Sequence, residues 1–342
     1  MRGVGRLRRA GKALAGRDEV AVAARRPAPP RPRGPAWDDR GRTLEEGELP
    51  RVAAITMARD EGPMIRRWVE HYGAAFGAEH VYVVDDHSSD GSTDDLPATV
   101  LRYPYLDKYG FEPSRMGIVS GLAHSLLFAY DAVLFCDADE FVVADPKRHE
   151  SLRHLVAALA DRPAVAVAAY NVIHDVAHEA PLDLDRPLLQ QRRYAQFTPL
   201  MCKPSLKFVR ADWSHASHAV GCEFSVEPDL VMFHMKFADR DQLAVQAARR
   251  QHLNVSENRA QQTSWARSGD EMVALLDEVS GLIDADDLGR FRPAPKRLEQ
   301  IVRHEGEPGA PNERWRSTGD GQVIALRKGR FVAIPPRFQD LV

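Results

Sequence analysis

Two aspartates separated by one residue, Asp137 and Asp139, have the spacing and the position to bind a cation. They follow the apolar run 133–136, and side chains at positions i and i+2 share one face of an extended segment. Two carboxylates on one face repel each other unless a cation lies between them, and carboxylate oxygens suit Mg²⁺ or Mn²⁺. Such an ion would neutralise a diphosphate and stabilise it as a leaving group. The alternative interpretation is a solvated acidic loop.

Two further polar segments follow predicted buried strands. Residues 57–61 come after a strand over 52–57, and residues 85–90 come after a strand over 81–84. Ligands of parallel sheets bind beyond the carboxyl ends of the strands, so these two loops and residues 137–140 should meet at one edge. This convergence favours the metal interpretation over the solvated loop.

The elements that must position these loops alternate between strand and helix. A helix that opens at Pro63 carries Trp68 and Tyr72 at helical spacing and separates the strands 52–57 and 81–84. Strand, helix and strand with short loops imply right-handed crossovers and a mostly parallel sheet flanked by helices, an α/β fold. Downstream we predict strands over 164–175, 207–210 and 229–234, helices over 239–263 and 270–280, and a small hairpin over 322–334 around Lys328-Gly329.

Four segments occur in an order that is found in a known family. They are VAAITMARDE (52–61), WVEHY (68–72), VYVVDDHSSDGS (81–92) and FCDADEF (135–141). As an ordered set they resemble the family-2-like glycosyltransferases of the GT-A fold, which is Rossmann-related. The resemblance is to the branch with an Asp-x-Asp-Glu-Phe segment, and it covers about residues 50–145, with an extension to about 240.

The resemblance implies roles for the strand-end residues. The loop from Met57 to Glu61, including Arg59, would line the base and ribose of a nucleotide-sugar. Asp85 and Asp86 would accept hydrogen bonds from the base or ribose, although His87 stands where relatives often have Asn, which leaves the base preference open.

The same resemblance assigns the metal and phosphate contacts. Asp137 and Asp139 would hold Mn²⁺ or Mg²⁺ and the diphosphate, with Asp139 ranked first as the direct ligand. His234 follows an apolar strand, where related enzymes often supply a further metal ligand; a structural histidine is the alternative. Arg115 would contact phosphate, unless it is a surface arginine.

The second half of the chain offers acceptor and base candidates. His215 and His218, with Trp213, could face an acceptor sugar, and three lysines, Lys203, Lys207 and Lys236, could offset diphosphate charge. An inverting transfer needs a general base to deprotonate the acceptor hydroxyl. The candidates are Glu223, Asp212 and Asp175, and Glu223 ranks first because it lies between the histidine pair and His234.

Composition divides the chain and bounds its partners. Residues 1–49 form an Arg/Pro-rich basic segment predicted to be disordered, with a peripheral membrane contact as one possibility; 50–290 is the predicted transferase domain and 291–342 an extension carrying the hairpin. We divide the transferase domain into a donor and metal half, 50–145, and an acceptor half, 146–290. A net charge of -3 gives no sign of nucleic-acid binding, and three cysteines without zinc-like spacing predict reduced thiols. We expect a cytoplasmic location, since no apolar run reaches the ~20 residues of a membrane span.

These features predict a metal-assisted glycosyltransferase, an interpretation that depends on metal binding by the Asp137 and Asp139 pair. The enzyme would move a sugar from a UDP- or GDP-sugar to a glycan, lipid or small-molecule hydroxyl, with inversion. One alternative is a nucleotidyltransferase, but the segment after the first strand has a single glycine, Gly62, where a triphosphate-binding loop is Gly-rich. The other is a binding module with a degenerate GT-A fold.

Overall fold

The computed structural model describes residues 47–104, 109–257 and 267–342. These residues belong to one compact unit. The predicted N-terminal segment up to residue 46, with its predicted disorder and membrane contact, lies outside the described residues, as does the predicted helix 239–263 beyond residue 257. No helix within the described ranges is long and apolar enough to cross a bilayer.

Strands and helices alternate in the first half, and strands dominate the middle of the chain. The strands are β1 (Val52–Ala58), β2 (Val81–Asp85), β3 (Thr99–Arg102), β4 (Ala132–Phe135), β5 (Glu140–Ala144), β6 (Ala164–Ile173), β7 (Tyr194–Phe197), β8 (Leu206–Lys207), β9 (Trp213–Ser214), β10 (Ala219–Val220), β11 (Phe224–His234), β12 (Val302–Glu305), β13 (Arg314–Ser317) and β14 (Phe331–Ala333). The helices are α1 (Met64–Phe76), α2 (Phe111–Leu126), α3 (Leu152–Ala158), α4 (Arg240–Glu257), α5 (Gly269–Ser280), α6 (Pro295–Glu299) and α7 (Gln322–Lys328).

The large sheet has the order β14-β7-β6-β8-β4-β1-β2-β3, and β11 joins it beside β6 and carries β5 on its other edge. Strands β3, β2, β1 and β4 are mutually parallel, and β11 runs parallel to β6. The predicted α/β class, with a mostly parallel sheet flanked by helices, is confirmed. Because β1, β2 and β4 are parallel neighbours, the loops that follow them leave the sheet at the same edge.

Helix α1 covers one face of this sheet. Its buried residues recur every three to four positions and include Ile65, Trp68, Tyr72 and Phe76, so one stripe of the helix faces the strands. Strand β1 is buried along its whole length and β6 likewise, as expected for strands covered on both faces. The strand-end loops are therefore mounted on a rigid core.

A second, four-stranded sheet has the order β12-β13-β10-β9 and is antiparallel throughout. Strands β9 and β10 come from the middle of the chain, whereas β12 and β13 come from the C-terminal segment. Strand β14 pairs with β7 in the large sheet, with Val332 opposite Ala195. The segment 291–342 is thus paired into both sheets.

Three predicted elements differ in the structure. The prediction of a hairpin over 322–334 is wrong, because this segment forms helix α7 followed by strand β14. Leu326 packs into the core and β14 pairs with β7. The local alternation of apolar and polar residues indicates neither contact. The predicted strand 207–210 is reduced to β8, and the strand predicted over 229–234 begins five residues earlier, at Phe224.

Tyr72 ties helix α1 to the segment that carries the acidic residues. Its hydroxyl lies 3.1 Å from Cys136 Sγ and 3.2 Å from the Glu140 carbonyl oxygen, and it accepts a hydrogen bond from Val142 N (2.8 Å). Tyr72 is fully buried. The Tyr72 side chain therefore fixes the loop between β4 and β5 against helix α1.

Replacing Tyr72 by Phe should lower the free energy of unfolding by about 1–3 kcal/mol, because the buried Val142 N–H loses its acceptor. Denaturant unfolding measures the change. Tyr82→Phe is the matched control: its hydroxyl meets Tyr130, which keeps His80 as a second partner, so a smaller loss is expected. Equal losses in the two variants would contradict the anchoring role of Tyr72.

Candidate active site

A cavity of about 660 Å³ opens at the carboxyl ends of β1, β2 and β4. This volume is in the range of ligand-binding sites for small molecules. Its walls come from the strand-end loops and from α2, β11, α4, α7 and the turn between β9 and β10. The lining residues are Met57, Ala58, Arg59, Asp60, Glu61, Asp86, Ser89, Asp90, Phe111, Glu112, Arg115, Asp137, Ala138, Asp139, Met201, Lys203, Ala216, His218, His234, Lys236, Gln246, Ala248, Arg249, Arg250, His252, Leu253 and Gln322.

The loops after β1 and β2 are joined to each other by Asp60. Its Oδ1 accepts hydrogen bonds from Ser89 N (2.7 Å) and Asp90 N (3.1 Å), and its own N–H donates to Ser88 Oγ (3.1 Å). Asp60 has a φ of 52°, a left-handed conformation that Asp tolerates better than most residues. The two loops thus form one wall, with Met57, Arg59 and Asp86 facing the cavity.

Asp85 supports this wall from beneath. Its carboxylate accepts from Ser88 N (2.9 Å) and from Thr93 Oγ1 (3.2 Å), and the residue is buried outside the cavity lining. The structure therefore corrects the predicted contact of Asp85 with a base or ribose. Asp86, which lies 3.9 Å from Arg59, is the aspartate of the pair that reaches the cavity.

Asp137 faces basic side chains. Lys203 Nζ lies 2.7 Å from its Oδ2, and Arg115 donates to its Oδ1. Burial raises the pKa of Asp137, but Arg115 and Lys203 outweigh this effect and hold the pKa well below its usual range. Asp137 is accordingly ionised, and it pairs with the Arg115 and Lys203 side chains at the floor of the cavity.

Lys203 also neutralises Glu140. Its Nζ lies 2.6 Å from Glu140 Oε1, while Glu140 Oε2 accepts from Asp137 N (3.0 Å). The Glu140 side chain is fully buried and Lys203 is 3% exposed. One buried lysine therefore stabilises two neighbouring carboxylates.

Asp139 lies beside His234 at the end of β11. His234 Nε2 is 3.5 Å from Asp139 Oδ2, and Arg250 Nη2 is 3.6 Å from the same oxygen. Met235 N donates to the Asp139 carbonyl oxygen (2.8 Å), which fixes the loop against β11. Burial raises the pKa of Asp139, but His234 and then Arg250 shift it well below the usual range, so this group is a carboxylate at neutral pH.

The tautomer of His234 follows from its hydrogen-bond chain. The Thr198 hydroxyl donates to the Gln196 carbonyl oxygen (3.1 Å), so it accepts from the Asn171 amide nitrogen (3.0 Å). The Asn171 amide oxygen is thereby turned to His234 Nδ1 (2.7 Å), which carries the proton. In neutral His234 the lone pair is then on Nε2, the nitrogen nearest Asp139, where it can bind a cation.

The residues that could hold a metal differ in one position from the predicted set. Ligand atoms of Asp139, Glu140 and His234 lie within 4.8 Å of one another. Asp139 and His234 were predicted as ligands from the sequence, whereas Asp137 is occupied by Arg115 and Lys203 and is not in this group. Side chains at i and i+2 diverge here because residues 137–139 form a turn between β4 and β5, not an extended strand.

Helix α4 adds basic residues that the spacing of the sequence did not reveal. Arg250 reaches Asp139, and Arg249 donates to the Asp60 carbonyl oxygen and lies 3.7 Å from Asp90. The helix therefore reaches from Asp139 to the strand-end wall. The adjacent residues Arg249 and Arg250 on a predicted helix indicate a basic face. Only the packing of α4 shows that this face lines the cavity.

Lys236 and Glu61 border both the main cavity and a smaller pocket behind Asp139. Burial, together with the nearby Arg250, lowers the pKa of Lys236 to about 7. Burial raises the pKa of Glu61 to about 7, against the opposing effect of Arg250. Both groups can therefore change protonation state near neutral pH.

The free energy of unfolding should depend on pH through Glu61. Its folded-state pKa of about 7 lies above the ordinary value of 4.5, so folded protein holds a proton that unfolded protein has lost between these pH values. The free energy of unfolding that Glu61 contributes therefore falls progressively as the pH rises from 4.5 to about 7. Without metal or nucleotide, Glu61→Gln should gain stability over wild type as the pH rises from about 5 to about 8, measured by denaturant unfolding. A difference that stays constant with pH would contradict the shifted pKa.

The predicted base does not reach the cavity. Glu223 is exposed and borders a separate surface groove at the start of β11, whereas His234 ends that strand. The prediction that Glu223 is the general base is therefore corrected by its distance along an eleven-residue strand. Asp212 is exposed beside His124, and Asp175 pairs with Arg193 at another surface groove, so neither replaces it.

The residues predicted to contact an acceptor lie in three different environments: the core, the cavity wall and the exposed surface. Trp213 is 2% exposed, donates to the Pro204 carbonyl oxygen and packs against Lys207, so both belong to the core. His218 lines the cavity, and its Nδ1 lies 2.8 Å from the Leu200 carbonyl oxygen. His215 is exposed outside the cavity lining.

The structure brings eight predicted site residues to one cavity: Met57, Arg59, Glu61, Asp86, Arg115, Asp137, Asp139 and His234. Lys203 and Lys236, predicted to offset phosphate charge, are there too. Gln322 was missed, and no motif or spacing in its segment indicates a site. The three cysteines are free thiols.

No family model and no curated protein matches this chain. Solved structures with partial similarity include the mannosyltransferase PcManGT from Pyrobaculum calidifontis in complex with GDP-Man and Mn²⁺, at 16% identity over 70% of this chain and 72% of that one, with a TM-score of 0.31. Glucosyl-3-phosphoglycerate synthase from Mycobacterium tuberculosis, with Mn²⁺, UDP and glucosyl-3-phosphoglycerate, gives 15% identity, coverage of 48% and 58%, and a TM-score of 0.26.

A mannose-1-phosphate geranyltransferase from Thermus thermophilus gives 11% identity, coverage of 66% and 67%, and a TM-score of 0.26. At these identities and TM-scores, the similarity does not show the function of this chain.

Proposed function

We propose that this protein is a glycosyltransferase that binds a nucleotide-sugar and a divalent cation in the cavity and transfers the sugar to a hydroxyl group. The observation that carries the proposal is the arrangement at the carboxyl edge of the sheet. A carboxylate–imidazole group, Asp139 and His234, lies between the strand-end wall and a set of buried basic side chains. This arrangement suits a metal-bound diphosphate attached to a nucleoside.

The donor set fits Mn²⁺ better than Mg²⁺. Carboxylate oxygens suit both ions, whereas an imidazole nitrogen favours a transition metal. Asp139 and His234 would hold the ion, and Glu140 would contribute if Lys203 released one of its oxygens. When bound, the ion supplies charge neutralisation for the departing nucleoside diphosphate.

The chain's own cations complement this role. Arg115, Lys203 and Arg250 lie at the cavity surface and are paired with Asp137, Glu140 and Asp139. Burial lowers the pKa of Lys203, but Asp137 and Glu140 outweigh this and raise it, so it stays protonated. A diphosphate that entered here would find fixed positive charges whose orientation is set before binding, which favours electrostatic stabilisation of the leaving group.

In the proposed reaction the bond between the anomeric carbon and the diphosphate oxygen breaks, and the diphosphate leaves with the electron pair. The acceptor oxygen forms the new bond to the anomeric carbon, and its proton passes to a base. Glu61 replaces Glu223 as the proposed proton acceptor because it is a carboxylate that lines the cavity, and burial raises its pKa above the ordinary value. Transfer with inversion fits this single-base scheme.

The proposal is tested first by thermal stability of the purified protein with UDP, GDP, CDP or ADP, each with and without Mn²⁺. A ligand that binds the folded state alone stabilises it by about 2.7 kcal/mol at a hundredfold excess over Kd. We expect one nucleotide to raise Tm in a Mn²⁺-dependent manner and thereby to identify the base. The absence of a shift with any of the four would reject the donor site.

Turnover is tested by release of nucleoside diphosphate from the matching nucleotide-sugar. Binding without release, even with a panel of hydroxyl acceptors, would favour the binding-module alternative. Conversion of a nucleoside triphosphate and a sugar phosphate to pyrophosphate would favour a nucleotidyltransferase. Glu61→Gln should keep Mn²⁺-dependent nucleotide binding and slow release on the order of a hundredfold; a parallel loss of binding would instead assign Glu61 to the nucleotide.

A further inference from the structure

The C-terminal segment contributes one side chain to the cavity. Gln322, the first residue of α7, lines the wall next to Lys236, whose Nζ donates to its Oε1 at 3.0 Å. Lys236 lies in the short turn Met235–Phe237 that directly follows His234. Gln322 is thus linked through Lys236 to the segment that follows His234.

Helix α7 is held firmly in this position. Arg327 forms two hydrogen bonds to the Glu278 carboxylate on α5 (2.8 and 2.7 Å), and Leu326 is buried in the core. Gln196 Nε2, on β7, donates to the Leu326 (3.1 Å) and Gly329 (2.9 Å) carbonyl oxygens. Gln322 is consequently carried by an anchored helix.

The order of groups along the sheet edge indicates what Gln322 meets. Met57 lies near the end of β1, Asp86 directly follows the neighbouring strand β2, and Asp139 lies in the loop after β4. On the other side of Asp139 come His234 at the end of β11, then Lys236 and Gln322. A nucleotide-sugar has the order base, ribose, diphosphate and sugar. With its diphosphate at Asp139 and its nucleoside against β1 and β2, its sugar is directed towards Gln322.

The chemistry of the side chain suits that part of the ligand. A primary amide offers both donors and an acceptor, which matches the hydroxyl groups of a sugar better than it matches a phosphate, which accepts hydrogen bonds. Resting on the proposed function, we infer that Gln322 contacts the hydroxyl groups of the transferred sugar and, with Lys236, helps to select it. The segment 291–342 then contributes to donor specificity.

The test compares the affinities of nucleoside diphosphate and nucleotide-sugar. Binding of UDP, UDP-glucose, GDP and GDP-mannose, each with Mn²⁺, is measured by calorimetry for wild type and Gln322→Ala. We expect the variant to bind the preferred nucleotide-sugar on the order of threefold to tenfold more weakly, and the corresponding diphosphate unchanged. Ile324→Ala is the matched control on the same helix, since Ile324 is 47% exposed, and it should change neither affinity.

Other results would overturn the inference. Equal weakening of both ligands would place Gln322 at the diphosphate, and no weakening of either would leave it without a role in donor binding. Wild-type protein that binds one nucleoside diphosphate and its nucleotide-sugar separates these outcomes from a failure of the proposed function, in which wild type would bind neither these ligands nor the CDP and ADP of the stability test. Unfolding measurements on Gln322→Ala exclude a global loss of structure as the cause.

Discussion

Replacing Asp139 by Asn should abolish Mn²⁺-dependent nucleotide binding, because loss of a direct ligand should cost more Mn²⁺ affinity than the roughly 10–100-fold that loss of a residue supporting a ligand costs. The substitution keeps the shape of the side chain and removes the charge that His234 and Arg250 now face. Because the structure places Asp137 against Arg115 and Lys203, Asp137→Asn should weaken Mn²⁺ binding much less. Calorimetric titration with Mn²⁺ measures both.

The control is Asp161→Asn, an exposed carboxylate on the turn after α3, which should leave Mn²⁺ binding unchanged. Removal of the metal from wild type by a chelator should reproduce the Asp139→Asn phenotype in nucleotide binding. Wild-type Mn²⁺ affinity in Asp139→Asn would reject the carboxylate–imidazole group as the metal site. A greater loss in Asp137→Asn than in Asp139→Asn would reverse the assignment made from the ion pairs.

The second large effect is expected at Lys203. Its substitution by Met should lower the free energy of unfolding by about 3–5 kcal/mol, because two carboxylates, Asp137 and Glu140, lose the buried cation between them. Burial already raises the pKa of Glu140 against the opposing effect of Lys203, so removal of Lys203 should raise this pKa further and the loss of stability should be smallest at low pH. Urea denaturation at about pH 5 and about pH 8 measures the difference.

Two further variants test the cause of that effect. Lys203→Met/Glu140→Gln should recover part of the lost stability, since it removes one of the orphaned charges. Lys207→Met replaces another buried lysine, which contacts a carbonyl oxygen and an aromatic ring, and it should cost clearly less. If the double variant were no more stable than Lys203→Met, charge pairing would not be the reason for the instability.

Local sequence determined the parts of this site that lie at strand ends. Alternation of apolar runs with an amphipathic helix fixed the parallel arrangement of β1, β2 and β4, and parallel strands bring their following loops to one edge. Asp139, Asp86 and Arg59 could therefore be placed near one another before any contact was known. His234 could be added because it ends a buried strand in the same sheet.

Roles within the acidic segment could not be separated by spacing. Asp137 and Asp139 look equivalent in sequence, yet one meets Arg115 and Lys203 and the other meets His234 and Arg250. Lys203 is 66 residues away from Asp137, and Arg250 reaches Asp139 from α4, which begins only at Arg240. Such pairings arise from packing between distant segments, which no local pattern encodes.

The sequence by itself determined the α/β architecture and the edge of the sheet at which chemistry can occur, because strand and helix periodicity are local properties. Only the tertiary structure shows which carboxylates lie beside basic side chains, that Glu223 borders a separate groove, and that Gln322 lines the cavity. Those features depend on the course of β11, α4 and α7 through the fold. The physical reason is that burial and long-range contacts set the charge and the partners of each side chain, and both exist only once the chain has packed.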